Sequence, residues 1–495
     1  MSEVARIARS AWRPLRLPAS EHRFAVANGE AFDDADPTTG ELVAVVASST
    51  PQDVDQAAAR ARDAFRAAQW RNDGALRARI LLRFADRLRG NLDRLAEVLT
   101  REQGKTIGEA RSEIEGSADM VAYYAGLARA VYGRVIPLGD RVHGVVIREP
   151  VGVVAVITPW NWPLTLMVRS LAPALAAGNA CVVKPASLTP AIVLEGLALL
   201  ASDQELPDGI LTCVVGSGAV VGEALVGHPD VDMIAFTGES ATGVSVMKRA
   251  AQDLRKVALE LGGKSPNLVF ADARLDKALD GAMNAIFTTA GQICTAGSRL
   301  LVEESIYDKF TEDLVQRVRR LRLGDPLDPE TSLGPLVSRV QQRTVTDYVD
   351  IGRKEGRLLC GGDLPADRAL EGGCFVAPTV VVDLPSDSRL IREEIFGPVL
   401  TVQPFHDEEE AIHLAEDTEF GLAAGVWTSD VDRAWRVGRA IRSGTVWINT
   451  YHHFYPETEV GGFRQSGLGR QQGLEGLYEF TETKHLNFDS NSKLW

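Results

Sequence analysis

Cys294 stands in the segment GQICTAG, with Gly291 and Gly297 on either side, a turn of small residues where backbone can approach a bound molecule closely. A thiol so placed is a candidate nucleophile; the plain alternative is an inert, buried cysteine. Glu260 closes the apolar run KVALE immediately before Leu261-Gly262-Gly263. A carboxyl at the end of an apolar strand can carry a raised pKa and act as a general base, or it can cap or pair locally. Asn161 lies in ITPWNWP, where Pro159 and Pro163 stiffen the loop and Trp160 and Trp162 wall it. A rigid side-chain amide can donate to a developing oxyanion, and the same residues can simply fill a core.

Phosphate-binding signals accompany these residues. Gly216-Ser217-Gly218 with Gly222 is one residue longer than the usual dinucleotide fingerprint. In Phe236 to Gly243, FTGESATG, a strand ends in Thr-Gly before a helix, which offers free backbone N–H groups to a pyrophosphate. Lys184, at the end of ACVVKP, adds a positive charge at a neighbouring strand end.

The elements that must hold these groups follow from periodicity. From about Asp53 to Tyr132 apolar residues such as Leu92, Leu95 and Leu99 recur at helical spacing, predicting amphipathic helices over a sheet. After Val151 the chain turns to short apolar runs, VGVVAVIT, NACVVKP, GILTCVVG, DMIAFTG and KVALELGG, most of them separated by helical stretches. That alternation predicts a parallel, doubly wound sheet. A second alternating block from near Leu261 predicts a second α/β domain. Gly262-Gly263 and Gly397-Pro398 read as hinges or tight turns.

Composition narrows the class. The 495 residues exceed one hydrophobic core, and 45% apolar against 24% charged residues is a globular balance. A net charge of −14 without a basic stripe argues against nucleic acid. No apolar stretch is long enough for a membrane span, and the first sixteen residues lack the apolar stretch of a secretory signal. Five scattered cysteines without a CxxC pair argue against a metal and for a reducing cytoplasm.

The strings PWNWP, VVKPAS, FTGESATG, ELGGKSP, GQICTAGSR, EEIFGPV and GGFRQSGLGR, in this order, make the chain from about Asp36 to Phe488 resemble the aldehyde dehydrogenase superfamily. The 34 positions between Glu260 and Cys294 agree with that resemblance. It implies an α/β fold with a Rossmann-like NAD(P)-binding domain (1–130 and 148–260) and an α/β catalytic domain (261–470). A small oligomerisation β-extension (131–147 and 471–495) would make a homodimer or homotetramer.

The resemblance also implies a reaction. The Cys294 thiolate adds to an aldehyde, the oxyanion is held by the Asn161 side chain and the Cys294 N–H, and hydride leaves for NAD or NADP. Glu260 then activates the water that hydrolyses the thioester to a carboxylic acid. Glu394 and Phe396 would hold the nicotinamide ribose, while Ile157, Trp160, Lys184, Ser187, Gly218 and Phe236 line the cofactor cleft. Ser187 stands where many NAD-preferring members carry a glutamate, which leaves NADP+ acceptable alongside or instead of NAD+. Glu239, where many members have serine, is given no cofactor role.

Two substrate clues diverge. Trp162 and Tyr451, with Phe454, Tyr455 and Glu457, resemble the aromatic tunnel of members that take aminoaldehydes or betaine aldehyde. Arg169, eight residues after Asn161, sits where semialdehyde-using relatives pair a substrate carboxylate, or it is a structural ion pair. A CoA-acylating relative and a non-catalytic crystallin-like scaffold on the same fold are the alternatives; Glu260 speaks against the first, and the intact trio of Cys294, Glu260 and Asn161 against the second.

Overall fold

The apolar runs after Val151 become strands because they are buried on both faces: every residue of Val153–Ile157, Ala180–Lys184 and Met233–Thr237 is inside. The computed structural model describes residues 3–17, 24–139, 142–365, 367 and 370–489. Its first large sheet has six strands in the order Gly467–Leu468, Lys256–Glu260, Met233–Thr237, Val153–Ile157, Ala180–Lys184 and Leu211–Cys213, parallel except for the first. The strand order reverses at Val153–Ile157, the kind of switch point at which open α/β sheets form a crevice beyond their carboxyl ends.

A seven-stranded sheet runs in the order Arg357–Cys360, Thr379–Val382, Val399–Phe405, Arg299–Glu303, Pro266–Val269, Ala423–Trp427 and Thr445–Ile448, with only the first pair antiparallel. The short link from Lys256–Glu260 to Pro266–Val269, Leu261 to Ser265, joins the two sheets, so both contribute to the ground around Glu260. An antiparallel ribbon of Arg134–Pro137, Val142–Pro150 and Thr481–Asp489 projects from the first unit and carries exposed Val135, Ile136, Leu486 and Phe488.

Two placements differ from the linear reading. The stretch 471–495, read as one extension, divides: Gly473–Glu479 is a helix whose Leu477, with Phe480, joins the first core, and the ribbon strand starts only at Thr481. Gly467–Leu468 crosses from the second block to pair with Leu259-Glu260 in the first sheet. A three-stranded sheet, Leu15–Leu17, Ala31–Ala35 and Leu42–Ala47, precedes all of this, and its middle member in sequence, AFDDA, is too polar to announce itself. Residues 490–495 of the expected extension lie outside the described residues.

The helices cover the first sheet and are started by local chemistry. Pro51–Arg66 begins with a Thr50/Asp53 capping box, and Ile107–Leu127 with a Thr106/Glu109 box. Among the described residues no helix is long and apolar enough to cross a membrane, and no group of His, Cys, Asp and Glu has metal-binding geometry. All five cysteines are free.

One buried feature makes stability pH-dependent. Asp34 and Glu102 are buried face to face; Glu102 also accepts the N–H groups of Ala191 and Ile192 at the start of the helix Pro190–Ala201. Burial, with the facing Asp34, pushes Glu102 up; burial, with nearby Asp36, pushes Asp34 from 3.8 to about 7 against a hydrogen bond with Glu102, so the folded chain holds a proton that the unfolded chain releases. The stabilisation is therefore complete below the ordinary carboxylate range and is lost as pH rises through about 7. The melting temperature is expected to fall by a few degrees between about pH 5.5 and 7.5, and Asp34→Asn to flatten that slope. An unchanged slope in the variant would show that the pair does not share the proton.

Candidate active site

Strand register gathers the expected residues along one sheet edge. Ile157 is level with Lys184 on one side and Phe236 on the other, and Thr237 is level with Glu260. Ile157, Lys184, Thr237 and Glu260 end parallel strands and Phe236 stands one residue short of an end. Thr237 and Glu260 line the cleft described next, whereas Ile157, Lys184 and Phe236 are buried and do not line it. Lys184 is buried, donates from Nζ to the Pro185 carbonyl at 3.0 Å, and lies against Gly222, where a Cβ would sit 3.7 Å from its side chain. Burial lowers its pKa to about 8.

The cleft itself has a volume of about 540 Å³ and is bounded by Trp160, Asn161, Glu239, Glu260, Cys294, Glu394 and Phe396, among others. Trp160 and Phe396 meet edge to face, their rings 5.2 Å apart, and form one wall. Glu394 accepts the Gly263 N–H at 3.1 Å and lies so close to Gly262 that a Cβ there would be 2.2 Å from Oε2, which is why this turn needs glycine. Burial raises Glu394 to about 7.

The helix Ser240–Ala251 opens on the cleft without a side-chain cap, leaving first-turn N–H groups near Ser240 and Ala241 for an anion. These features fit a dinucleotide: an uncapped helix start, a buried lysine beside a glycine turn and an aromatic slot with a carboxyl. Glu239 also lines the cleft and, as a second acid, helps raise Glu394.

Cys294 is half-buried on a loop that local strain and outside anchors hold in place. Thr289 and Ala290 have φ of 50° and 53°, and Gly291 of 73°. Such a run of left-handed residues persists only when the surroundings fix it. They do: the Thr289 N–H donates to Glu109 at 2.6 Å, and Gly291 presses on Gly397, where a Cβ would lie 2.1 Å from the carbonyl oxygen. Asn161 Nδ2 donates to the Gln292 carbonyl at 2.9 Å, which ties the amide to the cysteine loop. The Cys294 N–H finds no acceptor among the described residues.

Glu260 is buried, with Oε1 unpaired and Oε2 3.7 Å from Nη2 of Arg169. Burial raises its pKa while Arg169 and then Arg470 oppose the rise. Burial also pushes the Cys294 thiol up to about 12, again opposed by Arg169.

Other residues lie differently from the linear reading. Tyr451 does not line this cleft: it is 2% exposed and donates its hydroxyl to the Thr295 carbonyl at 2.9 Å, because Gly297 and Gly425 leave room for its ring beneath the cysteine loop. Trp162 already has a cation on its face, Lys105 Nζ at 3.8 Å from the ring centroid. Arg169 is 7% exposed with Nε and Nη2 lacking hydrogen-bond partners, and it faces Glu260. Ser187 donates to the Gly216 carbonyl at 2.8 Å, and Gly218 starts a turn, Gly218–Gly222, capped by Ser217. Phe454 and Tyr455 are exposed.

Lys105, Glu109 and Glu113, which hold the loops around Asn161 and Cys294, were not legible, since nothing in a helix start signals a partner 56 residues away.

The aldehyde dehydrogenase family model matches residues 24–486. Betaine aldehyde dehydrogenase of Bacillus subtilis (strain 168) is 44% identical over 454 residues, 91% of this chain and 92% of that protein. A crystal structure of betaine aldehyde dehydrogenase from Staphylococcus aureus in complex with NAD+ superposes with a TM-score of 0.93 at 35% identity, covering 100% of this chain and 99% of that one. A point mutant of the same enzyme, with NAD+ and a BME-modified cysteine, gives 0.92 at 37% identity over 95% and 96% of the two chains. With residues of PWNWP, FTGESATG, ELGGKSP, GQICTAGSR and EEIFGPV lining one cleft and the match running almost end to end, the chain belongs to the aldehyde dehydrogenase family, oxidoreductases that act on the aldehyde group.

Proposed function

We propose that this chain oxidises an ammonium-bearing aldehyde of the betaine aldehyde type to its acid, with Cys294 as nucleophile, Asn161 as oxyanion donor and Glu260 as base. The observation that carries the reading is the convergence of Cys294, Asn161 and Glu260 on a cleft that also contains Trp160, Glu394 and Phe396. Sγ of Cys294 bonds to the aldehyde carbon as its proton is lost to water. The carbonyl oxygen, now negative, is received by Asn161 Nδ2 and the Cys294 N–H. A nicotinamide bound in this cleft supplies the acceptor for the hydride. Glu260 takes a proton from water as the water oxygen attacks the Cys294 thioester; the C–S bond breaks, the acid leaves, and the proton passes from Glu260 to the departing sulfur, restoring thiol and carboxylate.

Glu394 and Phe396 would hold the nicotinamide ribose, and Trp160 the ring. Ile157, Lys184, Ser187, Gly218 and Phe236 would line the adenosine and phosphate end, whose strand-end geometry supports this. NAD+ is supported by the S. aureus complex. NADP+ is supported by Ser187, which puts no carboxylate where a 2′-phosphate would lie. Ser187→Glu is expected to lower kcat/KM with NADP+ by about 10- to 100-fold while NAD+ stays within about threefold, the size of one added like-charge contact. Equal changes for both cofactors would remove Ser187 from the ribose site.

The ammonium substrate is supported by the B. subtilis relative and by the exposed aromatic residues Phe454 and Tyr455 beside Glu457. A second reading, a semialdehyde with a distal carboxylate, has its support in Nε and Nη2 of buried Arg169, which make no hydrogen bond, Nη2 having only Glu260 at 3.7 Å. Reduced-nicotinamide formation with betaine aldehyde, an aminoaldehyde and succinic semialdehyde separates them. Preference for the first two upholds the proposal, and preference for succinic semialdehyde replaces it. We further take the chain as a cytoplasmic homo-oligomer, a dimer or tetramer; the five free thiols and the open outer edge of the strand Thr481–Asp489 support this.

A further inference from the structure

Lys105 and Glu113 form an ion pair with both side chains 0% exposed, and nothing in the reaction above uses it. Its contacts run to the oxyanion loop. Lys105 Nζ donates to Glu113 Oε2 at 2.5 Å and to the backbone carbonyl of Asn161 at 2.8 Å, and its third side faces the Trp162 ring. Glu113 Oε1 accepts the N–H groups of Leu164 at 2.9 Å and Thr165 at 3.1 Å. Those are first-turn groups of the helix Pro163–Ala177, whose N-cap residue, Trp162, supplies no side-chain cap. One carboxylate thus caps the helix that follows Asn161, and one ammonium holds the carbonyl of Asn161 itself.

Glu109 lies one turn earlier on the same helix, Ile107–Leu127, and therefore on the same face. It receives the Thr289 N–H of the cysteine loop. A single helix face accordingly grips both halves of the site, the Asn161 turn through Glu113 and the Cys294 loop through Glu109. The halves then meet in the Asn161 Nδ2 to Gln292 carbonyl bond. Taking two charges out of water is costly, and a well-packed apolar pair of the same volume is often as stable. The fully matched donors and acceptors here are instead directed at two loops.

We infer that Lys105 and Glu113 are positioning residues that set the Asn161 amide at its working distance from Cys294. The inference rests on the reading of Asn161 as oxyanion donor. It predicts that loss of the pair slows only those steps in which negative charge develops on the substrate oxygen. Alkylation of the Cys294 thiol, which needs no oxyanion donor, and nicotinamide binding depend on other groups.

The test is a double-mutant cycle on the full-length protein, read by the pre-steady-state rate of reduced-nicotinamide formation. Lys105→Met is expected to lower that rate by about 10- to 100-fold, part of the 10²- to 10³-fold that removal of an oxyanion donor costs. Iodoacetamide alkylation of Cys294 and the KM for NAD+ should stay within about twofold. In an Asn161→Ala background the same Lys105→Met change should cost less than about twofold, because its effect is carried by the missing amide. Glu113→Gln, which keeps shape and one acceptor, gives the same pattern with a smaller loss if Lys105→Met does not fold.

Equal losses in both backgrounds, or a parallel fall in alkylation, would overturn the inference and leave the pair as ordinary structural support. No loss on Lys105→Met and Glu113→Gln would overturn it too. If Asn161→Ala itself costs nothing, it is the assignment of Asn161 that fails, a distinct result.

Discussion

Cys294→Ala is expected to abolish aldehyde oxidation, lowering kcat by about 10⁴-fold or more, as loss of a covalent nucleophile does elsewhere. Binding of NAD+ should be nearly unchanged, because the residues around the cofactor cleft other than Cys294 stay in place. The size of the effect follows from the absence of a substitute. The other four cysteines are on strands or loops away from the cleft: Cys181 and Cys213 are within the first sheet, and burial pushes both thiols up. Cys294 itself is pushed up to about 12 by burial, so at neutral pH its proton must be removed as the carbon–sulfur bond forms. Residual turnover within about tenfold of the wild type would exclude Cys294 as the nucleophile.

Glu260→Gln is expected to separate the two halves of the reaction. One reduced nicotinamide should appear per active subunit in a burst, followed by steady turnover about 10²- to 10⁴-fold below wild type, the usual contribution of a general base. The amide keeps the shape of a buried residue but cannot take a proton from water. Added hydroxylamine, which attacks thioesters without a base, should restore turnover as hydroxamate. In the wild type the deacylation rate should fall as pH drops through the raised pKa of Glu260, since the protonated carboxyl is inactive. That limb should vanish in the variant. Ordinary steady turnover, or a burst rate as depressed as the steady rate, would remove Glu260 from deacylation.

Much of this site was legible because its chemistry lies at ends. Glu260 and Lys184 close strands, and Cys294 sits among glycines, so their neighbours in sequence announce what kind of place each occupies. Parallel strands bring such ends together whatever the helices between them contain. What sequence could not supply were contacts that fold back across long stretches. The Tyr451 hydroxyl reaches Thr295 from 156 residues away, and an aromatic residue in a loop gave no sign that it would be packed beneath the nucleophile. Arg169 read as a substrate contact or a structural ion pair, and only the fold names Glu260, 91 residues away, as the carboxylate it faces. Lys105 and Glu113 looked like any charged residues near a helix start, and their complete burial is set by packing of Ile107–Leu127 against Pro163–Ala177. The addition of Gly467–Leu468 to the first sheet involves two residues, too few for any alternation to show.

The central claim is a covalent acyl intermediate on one cysteine, and it is most directly read by mass. Glu260→Gln protein is mixed with NAD+ and a preferred aldehyde, quenched in acid and digested with trypsin. The peptide Ala278 to Arg299 contains Cys294 as its sole cysteine, so the site of any adduct is unambiguous. The account predicts that this peptide gains the mass of the acyl group, only when NAD+ is present, and loses it on treatment with hydroxylamine. An unmodified peptide after a full burst of reduced nicotinamide, or an acyl group on a different residue, would contradict it.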